Sequence, residues 1–499
     1  MVYFKQYIPV PDDEAQFETL VTKVKDFALM HGACMRAKDK FDPDVLQFAP
    51  FVLIPSPFPR KEFEMALYLQ PILNELMHRV AHDEEFLRQT LEKTIKVDPF
   101  TAKLFKIFET CQREGVKQPI ALGCIRSDLM LESTCSSTNS RKRKSGCCVK
   151  DLEDCCVYCC FKQVEINTIA SGFGHLGPIS RTVQEYALRE LGQEEKVKNL
   201  PENTALSGLC DGMIRAWDLY GCHEAVIMFV IENVSYNICD QRFHEFHIRK
   251  ARPDIKVIRK NLTQIYKNGQ LNDKGELCID GKIVSVVYFR AGYEPAQYPT
   301  ENEWDARLMI ERSLAIKCPT IGYHLAGTKK VQQALATPGV LNRFLQDEKK
   351  INDVQEIFTG IYALDKSEEG DRAVKMALEH PERFVMKPQR EGGGNNVFGK
   401  DIPAVLSKMT DLERSAWVLM EQIVPPMTKG YIIRPRQPIP KEPTDLVSEL
   451  GIFGVIIGTK DEILFNKQTG HMFRTKLSTA NEGGVAAGLG ALDSPYLID

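Results

Sequence analysis

Apolar residues recur at helical spacing near the start of the chain. Phe17, Leu20, Val21, Val24, Phe27 and Ala28 follow the period of one helix face, and Gly32 supplies a stop. Residues 63–80 repeat the pattern around Pro71, which has no backbone N–H and is expected to kink or split the helix. The pattern changes at residues 225–231, a continuous apolar run of the kind found in a fully buried strand. A helix-like stretch follows from Asp240, then a short strand near residues 255–258, a strand at 283–289 and a helix at 304–316. Such alternation predicts a small α/β unit over about residues 225–325, a parallel sheet with helices packed on it. From about Gly327 helices alternate with strands that end in charged groups. Lys329 is expected to open a helix, residues 384–386 lead into Lys387, and Arg474 and Lys476 share a face if residues 473–476 are a strand.

Composition narrows the class. At 499 residues the chain is too long for one simple core. A net charge of −3 leaves no global basic field for nucleic acid. The longest apolar runs fall far short of a membrane span, and the first residues lack a signal-peptide layout, so a cytoplasmic enzyme is expected. Eight of the fifteen cysteines are scattered singly and read as thiols of a reducing compartment. The other seven crowd into residues 135–160.

The candidate chemistry begins with Lys387-Pro388-Gln389-Arg390-Glu391-Gly392-Gly393-Gly394-Asn395-Asn396. Glycines let backbone N–H groups approach a phosphate, a lysine adds a point charge, and a carboxylate can hold Mg²⁺. The stretch is not a Walker A loop, and taken alone it reads equally as a polar turn before a helix. Val164-Glu165-Ile166-Asn167-Thr168 alternates. As a strand it buries Val164 and Ile166 and projects Glu165 and Asn167 from the other face, two oxygen donors suited to a hard cation. Alone, this is also an ordinary half-exposed strand. Arg126, Arg290, Lys387, Arg474 and Lys476 stand at apparent strand ends, where each by itself is most simply a surface charge.

Longer blocks carry more. Phe48-Ala49-Pro50-Phe51, Arg126-Ser127-Asp128, Glu165-Ile166-Asn167-Thr168-Ile169, Asp240-Gln241-Arg242, Val287-Tyr288-Phe289-Arg290, Leu325-Ala326-Gly327-Thr328-Lys329-Lys330, the Lys387 stretch, Ser448-Glu449-Leu450-Gly451, Arg474-Thr475-Lys476 and the small residues from Gly483 to Gly488 occur in order. Through nearly its whole length the chain resembles the eukaryotic glutathione synthetases, ligases of ATP-grasp type. The resemblance implies an α/β (mixed α+β) fold with an inserted parallel-sheet substrate domain at 225–325, between an N-terminal region at 1–224 and a nucleotide-binding region at 326–499. It implies joining of γ-glutamylcysteine to glycine with ATP and Mg²⁺, through an acyl phosphate, in a homodimer with no nucleic-acid or membrane partner.

The same resemblance places metal ligands at Glu165, Asn167 and Glu391. Nucleotide contacts fall at Glu165, Lys329, the whole stretch from Lys387 to Asn396, Phe398, Met420-Glu421-Gln422-Ile423, Glu449, Lys476 and Glu482. Substrate contacts fall at Arg126, Ile169-Ala170-Ser171-Gly172, Ser235-Tyr236-Asn237, Gln241, Arg290-Ala291-Gly292-Tyr293, Arg474, Val485 and Ala486, with Arg126, Lys387 and Arg474 at the chemistry. An acyl phosphate must be kept from water, so the loops at 392–394 and 483–488 are expected to act as lids.

Departures concentrate on the substrate side. Ala170-Ser171-Gly172 stands where the family commonly has Ser-Ala-Ser. Ser235 and Ala291 replace acidic residues, Gln422 a lysine, Phe398 a tyrosine and Glu482 an aspartate. A ligase of the same scaffold with another dipeptide or acceptor amine therefore stays open, as does a non-catalytic nucleotide-binding homologue. Between Met130 and Glu165 the chain also carries an insertion of about twenty residues, with a basic run Arg141-Lys142-Arg143-Lys144 and three cysteine pairs ending at Cys159-Cys160. It reads as a polar surface loop. Cys156-x-x-Cys159 keeps a redox or metal role open.

Overall fold

The computed structural model describes residues 2–37, 41–134, 157–389, 395–481, 483–485 and 489–499. Asp13 accepts the amide of Gln16 and caps the first helix, α1 (Glu14–Met30), whose stripe of Phe17, Leu20, Val21, Val24 and Ala28 is buried. The next long helix, α2 (Arg60–Ala81), runs through Pro71 without the expected split. Phe63 and Ala66 before the proline and Leu73 and Leu76 after it are buried, and Asn466 Nδ2 donates to the Pro71 carbonyl at 2.8 Å, so tertiary packing outweighs the lost helix hydrogen bond.

Two antiparallel strands follow, β1 (Ala121–Glu132) and β2 (Cys160–Asn167), and the cysteine-rich insertion joins them. Cys135, Cys147, Cys148, Cys155 and Cys156 lie outside the described residues. After helices α3 (Leu176–Glu190) and α4 (Ala205–Tyr220), the chain enters the unit anticipated from its alternating pattern. Strand β3 (Val226–Val230) leads through α5 (Ile238–Ala251) to β4 (Val257–Lys260); β5 (Lys282–Phe289) leads through α6 (Glu301–Arg312) to β6 (Ile316–Cys318). These four strands pair in parallel in the order β4-β3-β5-β6. The helix expected to reach residue 316 stops at Arg312, and Ile316 instead opens β6.

Lys329 opens α7 (Lys329–Leu335), as its position predicts. Then β7 (Ile361–Ala363), α8 (Glu368–Glu379), β8 (Phe384–Pro388), β9 (Val397–Phe398) and β10 (Trp417–Glu421) build an antiparallel sheet in the order β7-β10-β8-β9. Phe384, Met386 and Leu419 pack against Ala373 and Ala377 of α8 and against Ile402 and Leu406. Strand alternation then sends Val385 and Lys387 to the opposite face.

Two long strands, β11 (Thr444–Gly458) and β12 (Ile463–Leu477), finish the larger sheet, in which β12, β11, β1 and β2 lie side by side among eight strands. Both faces of β11 are buried. Leu450, Ile452 and Ile456 join the core that contains α2, while Phe453, Val455 and Ile457 join the one that contains α1, α3 and α4. The fold is mixed α/β, as expected. Among the described residues no helix is long and apolar enough to cross a membrane.

Candidate functional site

The smaller and the larger sheet both send side chains into one cavity of about 910 Å³. From the smaller sheet come Val385 and Lys387 of β8, Phe398 of β9, and Met420 and Glu421 of β10; Gln422 and Ile423 continue the wall beyond β10. The larger sheet supplies Arg126 of β1, Glu165 and Asn167 of β2, Glu449 of β11, and Arg474 and Lys476 of β12. Lys329 at the start of α7 and Asn395-Asn396 complete this end.

Opposite charges are packed closely here. Lys329 Nζ lies 2.8 Å from Glu165 Oε2. Burial alone would raise the Glu165 carboxyl, but Lys329 and Lys387 hold it well below the usual carboxylate range. Lys387 Nζ donates to the Val164 carbonyl at 3.2 Å, and Lys476 Nζ to the Asn481 carbonyl at 2.7 Å. Three lysines and an ionised carboxylate therefore share one wall, a composition suited to a polyphosphate and its counter-cation.

The expectation for β2 holds at Glu165, Ile166 and Asn167 but not at Val164, which is half-buried and lines the cavity. The cause is a bulge: Asp128 pairs with Glu165 and Leu129 with Gln163, leaving Val164 as the extra residue. Nor does Arg126 stand at a strand end; it sits midway along β1, buried. Its Nε and Nη2 donate to the two carboxylate oxygens of Asp128 at 2.6 and 2.7 Å, and Nη1 donates to the Gly172 carbonyl at 2.9 Å. Gly451 of β11 makes room for this pair, since a Cβ there would come 2.8 Å from Asp128 Oδ1 and 2.9 Å from Arg126 Cδ.

Asp128 also accepts from Asn167 Nδ2 at 3.1 Å and lies 3.7 Å from Arg474 Nη2. That bond assigns the amide of Asn167 and turns its Oδ1, rather than its NH₂, to serve as a cation ligand beside Glu165. Two oxygens suit Mg²⁺, which usually takes one or two protein ligands and completes its shell with water and phosphate. On the neighbouring strands Arg474 Nη2 donates to Glu449 Oε1 at 2.5 Å. Burial would raise Glu449, but Arg474 holds it low. Arg474 Nε is buried and has no hydrogen-bond partner among the described residues, so one donor of the guanidinium is uncommitted beside Gly483 and Val485.

The loop after β2 forms the next wall. Ile169, Ala170, Ser171, Gly172, Asn237 and Tyr293 all line the cavity. Ala170 has φ +51° and Phe173 φ +79°, left-handed conformations that a non-glycine residue holds only when its surroundings impose them. Asp240 at the start of α5 holds Phe173 in place, accepting from Phe173 N at 2.9 Å, His175 N at 3.0 Å and Arg290 Nη2 at 3.0 Å.

Other expected site residues stand elsewhere. Arg290 is buried behind the loop, bound to Asp240 and to the Ser171 carbonyl. Gln241 is buried and donates to Asn237 Oδ1 at 2.7 Å. Ser235, Tyr236, Ala291 and Gly292 do not reach the cavity wall. Pro388 and Gln389 end β8 outside it; Gln389 Oε1 accepts the Lys330 amide and thereby joins β8 to α7. Arg390, Glu391, Gly392, Gly393, Gly394, Glu482 and Ala486 lie outside the described residues, so both expected lids fall wholly or partly outside them.

The family model for the eukaryotic glutathione synthase ATP-binding domain matches residues 14–497. The chain belongs to the eukaryotic glutathione synthase family. It is 41% identical to the glutathione synthetase of Xenopus laevis, over 98% of each chain. To the human glutathione synthetase it is 39% identical, over 97% of this chain and 98% of the relative. The chloroplastic enzyme of Solanum lycopersicum is 39% identical over 90% of this chain and 78% of its own length. Among solved structures, a glutathione synthetase-like effector from Globodera pallida in its apo form superposes with a TM-score of 0.76 at 25% identity, covering 98% of both chains.

Sequence reasoning passed over Asp128 and Asp240, although both stood inside blocks it quoted. Asp128 follows Arg126 by two, the spacing that puts both on one face of a strand, and this was a usable signal. Asp240 had none, because its partners lie 50 to 67 residues away.

Proposed function

We propose that this protein ligates γ-glutamylcysteine to glycine at the cost of ATP, giving glutathione, ADP and phosphate. The observation that carries the reading is the meeting, in one cavity, of a lysine-rich end holding Glu165 and Asn167 with an arginine end holding Arg126 and Arg474. A carboxylate is a poor acyl donor and must first be phosphorylated. Lys329, Lys387 and Lys476 would hold the nucleotide phosphates, while Arg126, fixed by Asp128, would present the peptide carboxylate to the γ-phosphorus. The carboxylate oxygen forms the new P–O bond as the bond to ADP breaks. The glycine amine then attacks the acyl carbon, loses a proton, and phosphate leaves. Such transfers need positioning and charge neutralisation rather than a protein nucleophile. The uncommitted Nε of Arg474 would take the glycine carboxylate, for which a guanidinium fork is suited. Mg²⁺, held by Glu165, Asn167 and Glu391, would neutralise phosphate charge when bound.

ADP release measured with and without glycine, with the peptide product identified by mass, tests the reading. Glycine-dependent release with glutathione as product is expected; ATP binding without turnover would overturn it. A ligase for another dipeptide or amine is the second reading, favoured by the methyl of Ala170 on the cavity wall. The same assay with other amines separates the two. We further propose a cytoplasmic homodimer, with residues 225–325 as its substrate-side domain; light scattering checks the dimer.

A further inference from the structure

Cys159 and Cys160 stand where the insertion re-enters β2, both partly exposed, with their sulfurs 3.7 Å apart. Cys159 is tied to the opposite strand twice. Its amide donates to the Glu132 carbonyl at 2.8 Å and its thiol to the same oxygen at 3.2 Å. Glu132 and its neighbour Ser133 in turn hold Val424. The Val424 amide donates to Glu132 Oε2 at 3.3 Å, and its carbonyl accepts from Ser133 N at 2.9 Å and Ser133 Oγ at 2.7 Å. Ser133, Gln422, Ile423 and Val424 line the cavity beside Met420 and Glu421. Glu132 thus links the thiol pair, through its carbonyl, to the segment that walls the nucleotide end, through its carboxylate.

The pair also differs chemically from the scattered cysteines. Burial pushes the thiols of Cys34, Cys111 and Cys239 up, Cys34 and Cys111 to about 12. Cys160 is lowered instead, against partial burial, because the single S–H of Cys159 can turn from the Glu132 carbonyl to the Cys160 sulfur once that sulfur is ionised, with help from Lys162.

We propose that Cys160 is a thiol–disulfide exchange site for a small cysteine-containing disulfide, and that its modification weakens nucleotide binding through the Glu132–Val424 contact. The Cys160 thiolate attacks one sulfur of the disulfide; a protein–S–S–R bond forms, the R–S–S–R bond breaks, and RS⁻ leaves and takes up the proton that Cys160 released. A bond between the two neighbours is disfavoured, because adjacent Cα atoms are about 3.8 Å apart, whereas disulfides usually span about 4.4–6.8 Å. The mixed disulfide accumulates and is reversed by free thiol. The exchange stands on the thiol geometry alone; its effect on the cavity rests on the nucleotide reading above.

The reduced full-length protein is incubated with glutathione disulfide, its cysteine peptides are mapped by mass, and ATP affinity is measured by calorimetry before and after. Cys160 is expected to be modified ahead of Cys222 and Cys278, with ATP affinity falling about two- to tenfold, the effect of one lost hydrogen bond. Dithiothreitol should restore it. Cys160→Ser should keep the unmodified affinity and lose the response, and Cys159→Ser should slow modification of Cys160. A Cys160 peptide that stays unmodified, or a Cys160→Ser variant whose affinity responds like the parent, overturns the proposal. Modification of Cys160 without a change in affinity overturns the coupling. Failure of the reduced protein to bind ATP overturns the nucleotide reading, while the mass map still decides the thiol.

Discussion

Arg474, half-buried, and Arg290, fully buried, are both paired with a buried carboxylate, yet their surroundings assign them different work. Each leaves its Nε without a hydrogen-bond partner among the described residues, but Arg474 lies on the cavity wall, whereas Arg290 sits behind it, bound to Asp240 and to the carbonyl of Ser171. The larger sheet displays charge toward a ligand. The parallel sheet uses the same kind of pair to fix the loop that forms part of the wall. An ion pair is thus no sign of a substrate contact in itself; what decides is whether it faces the cavity.

Substitution should separate the two most clearly at Arg290. Arg290→Met leaves Asp240 ionised and buried without its cation, which should cost about 3–5 kcal/mol of stability in denaturant titrations. The loop at 170–176 should loosen with it, seen as faster amide exchange at Phe173 and His175. A variant as stable as the parent but unable to bind peptide would make Arg290 a substrate contact and break the contrast. Arg474→Ala should do the reverse. Its kcat/KM is expected to fall about 10²–10³-fold, the scale of deleting one charge-stabilising donor, with a much smaller change in stability. An equal loss of stability would place both arginines in the structural class.

Asp128 stands between these cases, because it fixes Arg126 and orients Asn167 without facing the ligand through a free oxygen. Asp128→Asn should weaken divalent-ion binding by about 10–100-fold, as loss of a ligand-orienting partner commonly does. Manganese binding followed by paramagnetic resonance checks this apart from turnover. Unchanged manganese affinity would leave Asp128 as a partner of Arg126 alone.

The same contrast explains what the sequence disclosed. Side chains on regular strands were legible: Glu165 with Asn167, and Arg474 with Lys476, reach the cavity as alternation requires. Lys329 at the start of α7 was legible from its position. The parallel sheet of residues 226–318 followed from the alternation of elements, though its fourth strand, Ile316–Cys318, was not foreseen. Where alternation failed, a local irregularity intervened. The bulge at Val164 moved one side chain to the other face, and no feature of the five residues around it signals an unpaired position. The loop from Ile169 to Phe173 was hardest to read, since a long-range bond to Asp240 holds its left-handed Phe173 in place. Pro71 shows the limit from another side: its local preference was read correctly, and the surrounding core overrode it.

The smallest predicted effect concerns the reverse face of β12. Thr475 lies between Arg474 and Lys476 but points away from the cavity, where its hydroxyl donates to Asp493 Oδ2 at 2.6 Å. Ser56 Oγ donates to the same oxygen at 2.6 Å, and Gln184 Nε2 to Oδ1 at 2.7 Å. No cation is paired with this carboxylate among the described residues, and burial pushes it up to about 6 despite its hydrogen bonds. An acid whose folded pKa exceeds its unfolded one, about 3.9, adds stability at low pH that is lost as pH rises through the folded value. Between about pH 5 and 7 the parent should therefore lose about 1 kcal/mol relative to Asp493→Asn, whose side chain does not titrate. Urea unfolding of both proteins at the two pH values gives the difference. Parallel stability profiles would mean that Asp493 stays ionised in the folded protein, and that its three side-chain donors do for it what Arg474 does for Glu449 on the cavity face.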